Sequence, residues 1–141
     1  KVGSHHGGHG KVLVRGDAWP ELADLVEAAD AYVTTEPYID YVRDVRVLLV
    51  GDRVWAMARK GASWRANVDT VAAHVVDPPE ELVVHARRFA SHIGADMLAL
   101  DAIEDADGGF VVLESNETPG LAGFPEAARW ETAGLLAAQM A

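Results

Sequence analysis

"ALDAIEDADGGFVVLESNETPGL" (99–121) holds two apolar runs on either side of an Asp-Gly, and each run carries carboxylates where a strand prefers hydrocarbon. The pattern predicts a β-hairpin. With Asp107-Gly108 as a two-residue turn, the register sets Asp101 opposite Glu114, and Asn116 shares their face. Like charges placed opposite one another on a sheet cost up to about 1 kcal/mol. A hard divalent cation reverses that sign, because Asp, Glu and an amide oxygen form an all-oxygen set suited to Mg²⁺. The same spacing also fits a surface hairpin whose carboxylates are solvated or share a proton. Spacing leaves both readings open.

Upstream, "EPYIDYVRDVRVLLVGDRVWAMARKGASWRANV" (36–68) predicts two strands over 44–60, joined at Gly51-Asp52. That register sets Asp44 opposite Arg59, with Arg46 diagonally beside it. Arginines at 46, 59 and 65 suit an anionic substrate or a transferring phosphoryl group. Taken singly, the Asp44–Arg59 pair reads more simply as a cross-strand ion pair of about 0.2–1 kcal/mol. Trp55, Met57, Trp64 and Phe110 are expected in the core or at its rim.

The first residues, "KVGSHHGGHGKV" (1–12), place Gly3, Gly7, Gly8 and Gly10 in a loop whose N–H groups can approach phosphate oxygens closely. No Gly-Lys-Ser/Thr opens a helix there, so it is not a Walker loop. A glycine-rich flap between strands and a plain loop both remain open. His5, His6 and His9 offer imidazoles for a metal, although on such a loop solvated imidazoles are the commoner outcome.

The remaining chain predicts a strand at 11–17, a helix from Asp17 to about Ala29 with Pro20 in its first turn, and a strand at 31–39. A helix is expected over 78–94, with Pro at its start and Gly94 at its end, and a last helix over 125–139. Strands fall in antiparallel pairs rather than alternating with helices, which argues for an α+β fold.

Composition limits the function classes. The 141 residues carry 12 basic and 22 acidic side chains, a net charge of −10 that disfavours nucleic acid and anionic membrane as partners. The chain has no cysteine, so disulfides and thiolate ligands are excluded, which fits a cytosolic protein. No apolar run reaches membrane-spanning length. The chain opens at Lys1 straight into the glycine-rich run, so an upstream part of a longer protein is expected.

Taken together, these stretches resemble the ATP-grasp superfamily, in the branch that holds glutathione synthetase, the ribosomal-protein glutamate ligase and synapsin. The shared features, in order, are the Lys strand with its glycine-rich flap, "TEPYID", "DVRV" followed by Gly, Arg-x-Asn, and then Asp101, Glu114-x-Asn116 and "PGL". They span nearly the whole chain, which would form one partial ATP-grasp domain over 1–141, the C-terminal part of a larger enzyme with nucleotide held between two lobes. "KVGSHHGGHGKV" and "TTEPYIDYVRDVRV" look closest to synapsins, and "LESNETPGL" is similar to the ligases. Val2 departs from the Pro of many relatives.

The resemblance implies roles. Lys1 would contact ATP phosphates, and flap backbone at Ser4, His5, Gly7 and Gly8 would cover them. The hinge residues Glu36, Pro37, Tyr38 and Ile39 would receive adenine, with Asp40 the candidate for the ribose. Asp101, Glu114 and Asn116 would hold Mg²⁺ or Mn²⁺. Arg59, Arg46 and Asn67 would act at the transferred phosphoryl group and the substrate carboxylate. The implied activity is ATP-dependent ligation of a carboxylate to an amine, on small molecules or peptides, by a cytoplasmic homo-dimer or homo-tetramer. The alternative is a synapsin-like protein whose nucleotide occupancy controls assembly without ligation. On either reading, replacing Asp101 and Glu114 by their amides is expected to leave the fold intact or slightly more stable.

Overall fold

A computed structural model gives the architecture, and it describes residues 1–3, 10–28, 32–61, 63–64 and 70–139. The chain divides into two compact units, 1–39 and 40–141.

The second unit is built on a five-stranded antiparallel sheet in the order β3-β2-β1-β4-β5. β1 (Arg43–Val50) and β2 (Arg53–Gly61) form the expected hairpin about Gly51-Asp52, with Asp44 opposite Arg59. β1 is central and its residues are nearly all buried, as its unbroken apolar run from Val47 to Val50 demands. β3 (Thr70–Val76) lies at one edge and is exposed along almost its whole length. β3 follows no motif of the sequence. Its β-branched residues were the available signal, but Ala72, Ala73 and His74 blur the alternation.

β4 (Met97–Glu104) and β5 (Phe110–Asn116) form the second hairpin, and Asp101 does face Glu114. The route to that register differs from the sequence expectation. The turn holds three residues, not two: Asp105 N–H donates to the Gly109 carbonyl at 3.0 Å, and Gly108 N–H to the Asp105 carbonyl at 3.2 Å. Asp105 Oδ1 accepts from the N–H groups of Asp107 and Gly109, both at 2.9 Å, which fixes the turn from inside. Gly108 takes φ +84°, a conformation that side chains disfavour. The longer loop displaces the pairing by one, and a bulge between Asp101 and Ala102 restores it.

Two helices cover opposite faces of the sheet. α2 (Glu80–Ile93) has acidic residues in its first turn and Gly94 in the left-handed conformation at its end, as its sequence signals predict. Its Leu82, Ala86 and Ala90 pack with Val45, Val47, Leu49, Leu98 and Leu100. On the other face, α3 (Glu126–Gln139) contributes Ala128, Leu135 and Leu136, which pack with Phe124, Leu48, Val50 and Met57. Gly123 is favoured beside this core by its φ of +95°, which side chains rarely adopt; a Cβ there would also displace the end of the Met57 side chain, whose Cε lies 2.7 Å away. Met57 is thus core, with Trp55 packed against the same cluster and Phe110 against the cluster on the opposite face.

Among the described residues of the first unit, a 3₁₀ turn (Gly16–Ala18) runs into α1 (Trp19–Ala28), with Pro20 in the first helical turn as expected. Two predicted strands are not formed. Residues 11–15 have no ladder partner among the described residues, and Val12 and Leu13 are exposed. Over 32–39 the one ladder contact among the described residues is a bridge between Val33 and Val2. β-branched composition favours a strand only where a neighbour supplies hydrogen bonds, and Pro37 has no N–H to give.

Candidate functional site

The sheet face under α3 has two unlike halves. Leu48, Val50, Trp55, Met57 and Met97 form its apolar half. The other half carries Asp44 and Arg46 on β1, Arg59 on β2, Asp101 on β4 and Glu114 on β5, all placed on one face by the pleat and the register. Alternate residues of "RDVRV" therefore serve the site while Val45 and Val47 serve the core behind it.

These side chains form an alternating-charge chain. Arg46 clamps Asp101 with two parallel bonds, Nε to Oδ1 at 2.6 Å and Nη2 to Oδ2 at 2.5 Å. Arg59 Nε donates to Asp44 Oδ1 at 2.6 Å, and its Nη2 reaches the same oxygen at 2.5 Å and Asp101 Oδ1 at 3.1 Å. Asp44 and Asp101 are each 5% exposed and Arg59 is 9% exposed, so the charges act on one another with little screening by water.

The electrostatics separate the two carboxylates. Burial pushes the Asp44 carboxyl up, and the neighbouring Asp101 charge adds to this; the Arg59 charge and hydrogen bond only partly offset it. Burial also acts on Asp101, but there the Arg46 hydrogen bond and the charges of Arg59 and Arg46 prevail and hold the carboxyl below its ordinary value. The hydrogen bond to Asp101 raises the Arg46 guanidinium further, against the effect of burial.

The donor set fits a hard cation. Asp101 and Glu114 are cross-strand partners whose carboxyl groups are within hydrogen-bonding reach of each other, an arrangement that calls for a shared proton or a cation between them. Asn116 follows on the same face, opposite Ala99, with its Oδ1 accepting from Thr118 N–H at 2.9 Å. A carboxylate has about four acceptor positions. Arg46 and Arg59 occupy three on Asp101, which leaves one for the proton or cation shared with Glu114. Among the described residues no group of three His, Cys, Asp or Glu that could hold a metal ion comes together.

The other expected site residues fall in different places. Lys1 and the hinge residues Glu36, Pro37, Tyr38 and Ile39 lie in the first unit, where the Lys1 carbonyl accepts from Thr34 N–H at 3.0 Å. This pairs the start of the chain with the stretch just before Glu36. Asp40 opens the second unit and is exposed. Ser4, His5, His6, Gly7, Gly8, His9, Arg65 and Asn67 lie outside the described residues. Local spacing reveals the Asp44–Arg59 and Asp101–Glu114 pairs. It does not reveal Arg46 opposite Asp101, because that depends on β1 and β4 being neighbours.

This fold is that of the ATP-grasp superfamily. The chain belongs to the family described as synapsin, ATP binding domain, whose model matches residues 1–124. It is 33% identical to beta-citrylglutamate synthase B of Danio rerio over 123 residues, covering 83% of this chain and 30% of that protein. It is 32% identical to a probable alpha-L-glutamate ligase of Alkalilimnicola ehrlichii over 137 residues, covering 92% of this chain and 45% of the relative. The chain thus spans less than half the length of these relatives. Among solved structures, the RiPP-associated ATP-grasp ligase of Chryseobacterium gregarium, in complex with ADP and a leader and core peptide, shares the fold. Its TM-score is 0.60 at 15% identity, over 73% of this chain and 35% of that one. The ATP-grasp ligase PsnB, complexed with a precursor variant, Mg and ADP, gives a TM-score of 0.57 at 23% identity, over 74% of this chain and 34% of that one.

Proposed function

We propose that the full-length protein is an ADP-forming, ATP-dependent ligase that joins a carboxylate to an amine through an acyl phosphate, and that 1–141 is part of its ATP-grasp domain. The observation that carries this reading is the pairing of Asp101 with Glu114 beside two arginines on a half-buried sheet face. Asp101, Glu114 and Asn116 hold Mg²⁺, or Mn²⁺ in its place. When bound there, the ion would supply positive charge to offset that of the transferring phosphoryl group. Lys1, with flap backbone at Ser4, His5, Gly7 and Gly8, covers the phosphates; Glu36, Pro37, Tyr38 and Ile39 receive adenine, and Asp40 the ribose.

The chemistry joins two anions, since a substrate carboxylate attacks the γ-phosphate. Arg59, Arg46 and Asn67 lower that barrier by holding positive charge and donors where the charge develops. The amine nitrogen then attacks the acyl carbon, inorganic phosphate leaves as the C–O bond breaks, the nitrogen gives up a proton, and an amide remains. Support for ligation over nucleotide-gated assembly comes from the relatives, which are named as ligases or synthases, and from an intact metal-donor set that a pure sensor does not need. The solved neighbours complexed with precursor peptides suggest a peptide or a small amino-acid-like acid as substrate. The setting is the cytosol, as a homo-dimer or homo-tetramer; among the described residues no helix is long and apolar enough to cross a membrane.

Calorimetry of ATP with and without Mg²⁺, followed by ADP release with pooled amino acids and peptides, tests the reading. Metal-dependent binding and amine-stimulated ADP release are expected. Tight binding with no ADP release under any pool moves the assignment to the assembly reading.

A further inference from the structure

Two carboxylates are buried among the described residues, and the proposed chemistry uses only Asp101. Among the described residues Asp44 touches none of the proposed metal donors, and it meets the phosphoryl chemistry only through Arg59. Its one described side-chain partner is Arg59, and both contacts converge on Oδ1.

The two arginines hold their forks differently. Arg46 gives its Nε/Nη2 edge to Asp101. Arg59 gives the same edge to Asp44 and only touches Asp101 with Nη2, at 3.1 Å. Were Arg59 to close a second fork on Asp101, the roughly four acceptor positions of that carboxylate would be filled. The cation would then meet a blocked ligand beside two guanidinium charges.

We propose that Asp44 is a positioning residue: by holding the Nε edge of Arg59 it draws that guanidinium off Asp101 and keeps a carboxylate oxygen open to the cation. The inference rests on the metal reading of Asp101 given above. Asp44 also brings the charges of Asp44, Asp101, Arg46 and Arg59 to zero, so the cation enters a neutral quartet rather than a positive one. Support of this kind for a metal ligand is typically worth about 10–100-fold in affinity.

The test follows free Mn²⁺ by its electron paramagnetic resonance signal during titration into the full-length protein saturated with ADP. ADP lacks the γ-phosphate on which Arg59 is proposed to act, so the readout is separate from turnover. Asp44→Asn is expected to weaken Mn²⁺ binding about tenfold, and adding Arg59→Met to Asp44→Asn is expected to restore the wild-type affinity. Unchanged affinity in Asp44→Asn overturns the proposal. So does a loss that Arg59→Met fails to restore, since Asp44 would then act through something other than Arg59.

If Asp44→Asn does not fold by circular dichroism, Arg59→Met alone decides. Equal or tighter Mn²⁺ binding supports the proposal, and weaker binding overturns it. Wild-type protein that binds ADP but no Mn²⁺ removes the metal reading, and the positioning role falls with it. Wild-type Mn²⁺ binding with an indifferent Asp44→Asn overturns the positioning role alone.

Discussion

Asp101 is the residue on which most of the proposed chemistry converges, and its surroundings change what its substitution should do. As a hairpin carboxylate facing another, its removal was expected to relieve repulsion. The structure surrounds it with Arg46 and Arg59, so an Asn there strands buried guanidinium charge. Asp101→Asn is therefore expected to cost about 3 kcal/mol in urea unfolding, the lower end for breaking a buried ion pair, because Asp44 still holds Arg59. Glu114 is exposed, so Glu114→Gln should change stability by less than about 0.5 kcal/mol while abolishing Mg²⁺-dependent nucleotide binding. Unaltered metal dependence in Glu114→Gln would remove Glu114 from the site.

The two buried carboxylates also give opposite pH dependences in metal-free protein. Asp101 is held below its ordinary value of 3.8, so its stabilisation is complete above that value and is lost as pH falls through the folded-state value. Asp44 is raised above 3.8, so the native state binds the extra proton, and stability falls as pH rises through the window just above 3.8. Urea titrations across the acid range should show Asp44→Asn losing that second component relative to wild type. Parallel curves for the two proteins would contradict the assignment. The residue types of the site were legible in the sequence. Their burial, and the Arg46–Asp101 clamp, were not, because both depend on strand order rather than on local spacing.

At the scale of elements, the β4–β5 hairpin was legible in its outcome and not in its construction. The Asp-Gly signal implied a two-residue turn, whereas Asp105 captures two N–H groups and lengthens the loop; the bulge then returns Glu114 to Asp101. Bulges have no reliable local signal, since they answer to the partner strand. For Gly108→Ala, at φ +84°, a loss of about 1–2 kcal/mol is expected by chemical denaturation. α2 and α3 were legible from caps and prolines. The strands expected at 11–17 and 31–39 failed because a strand needs a neighbour. Packing on the apolar half of the site face should be separable from chemistry on the charged half. Phe124→Ala is expected to cost about 3–5 kcal/mol while the folded protein keeps its ADP affinity; a parallel loss of affinity would show that the halves are coupled.

At the scale of the molecule, both hydrophobic clusters and all five strands belong to 40–141. A fragment of those residues is accordingly expected to unfold cooperatively by heat, with a single transition in far-ultraviolet circular dichroism. A broad, featureless melt would show that residues 1–39 are needed for the fold. The fold class was legible at this scale because hairpin spacing and helix caps repeat along the chain and agree with one another.

The charge-balanced quartet of Asp44, Arg59, Asp101 and Arg46 has a consequence for descent. A lone exchange at any of the four leaves an uncompensated ion in the interior, so sequence drift at this site has to pass through paired steps. A descendant that gives up nucleotide chemistry should then shed an arginine along with Asp101, and the two losses would mark its history together.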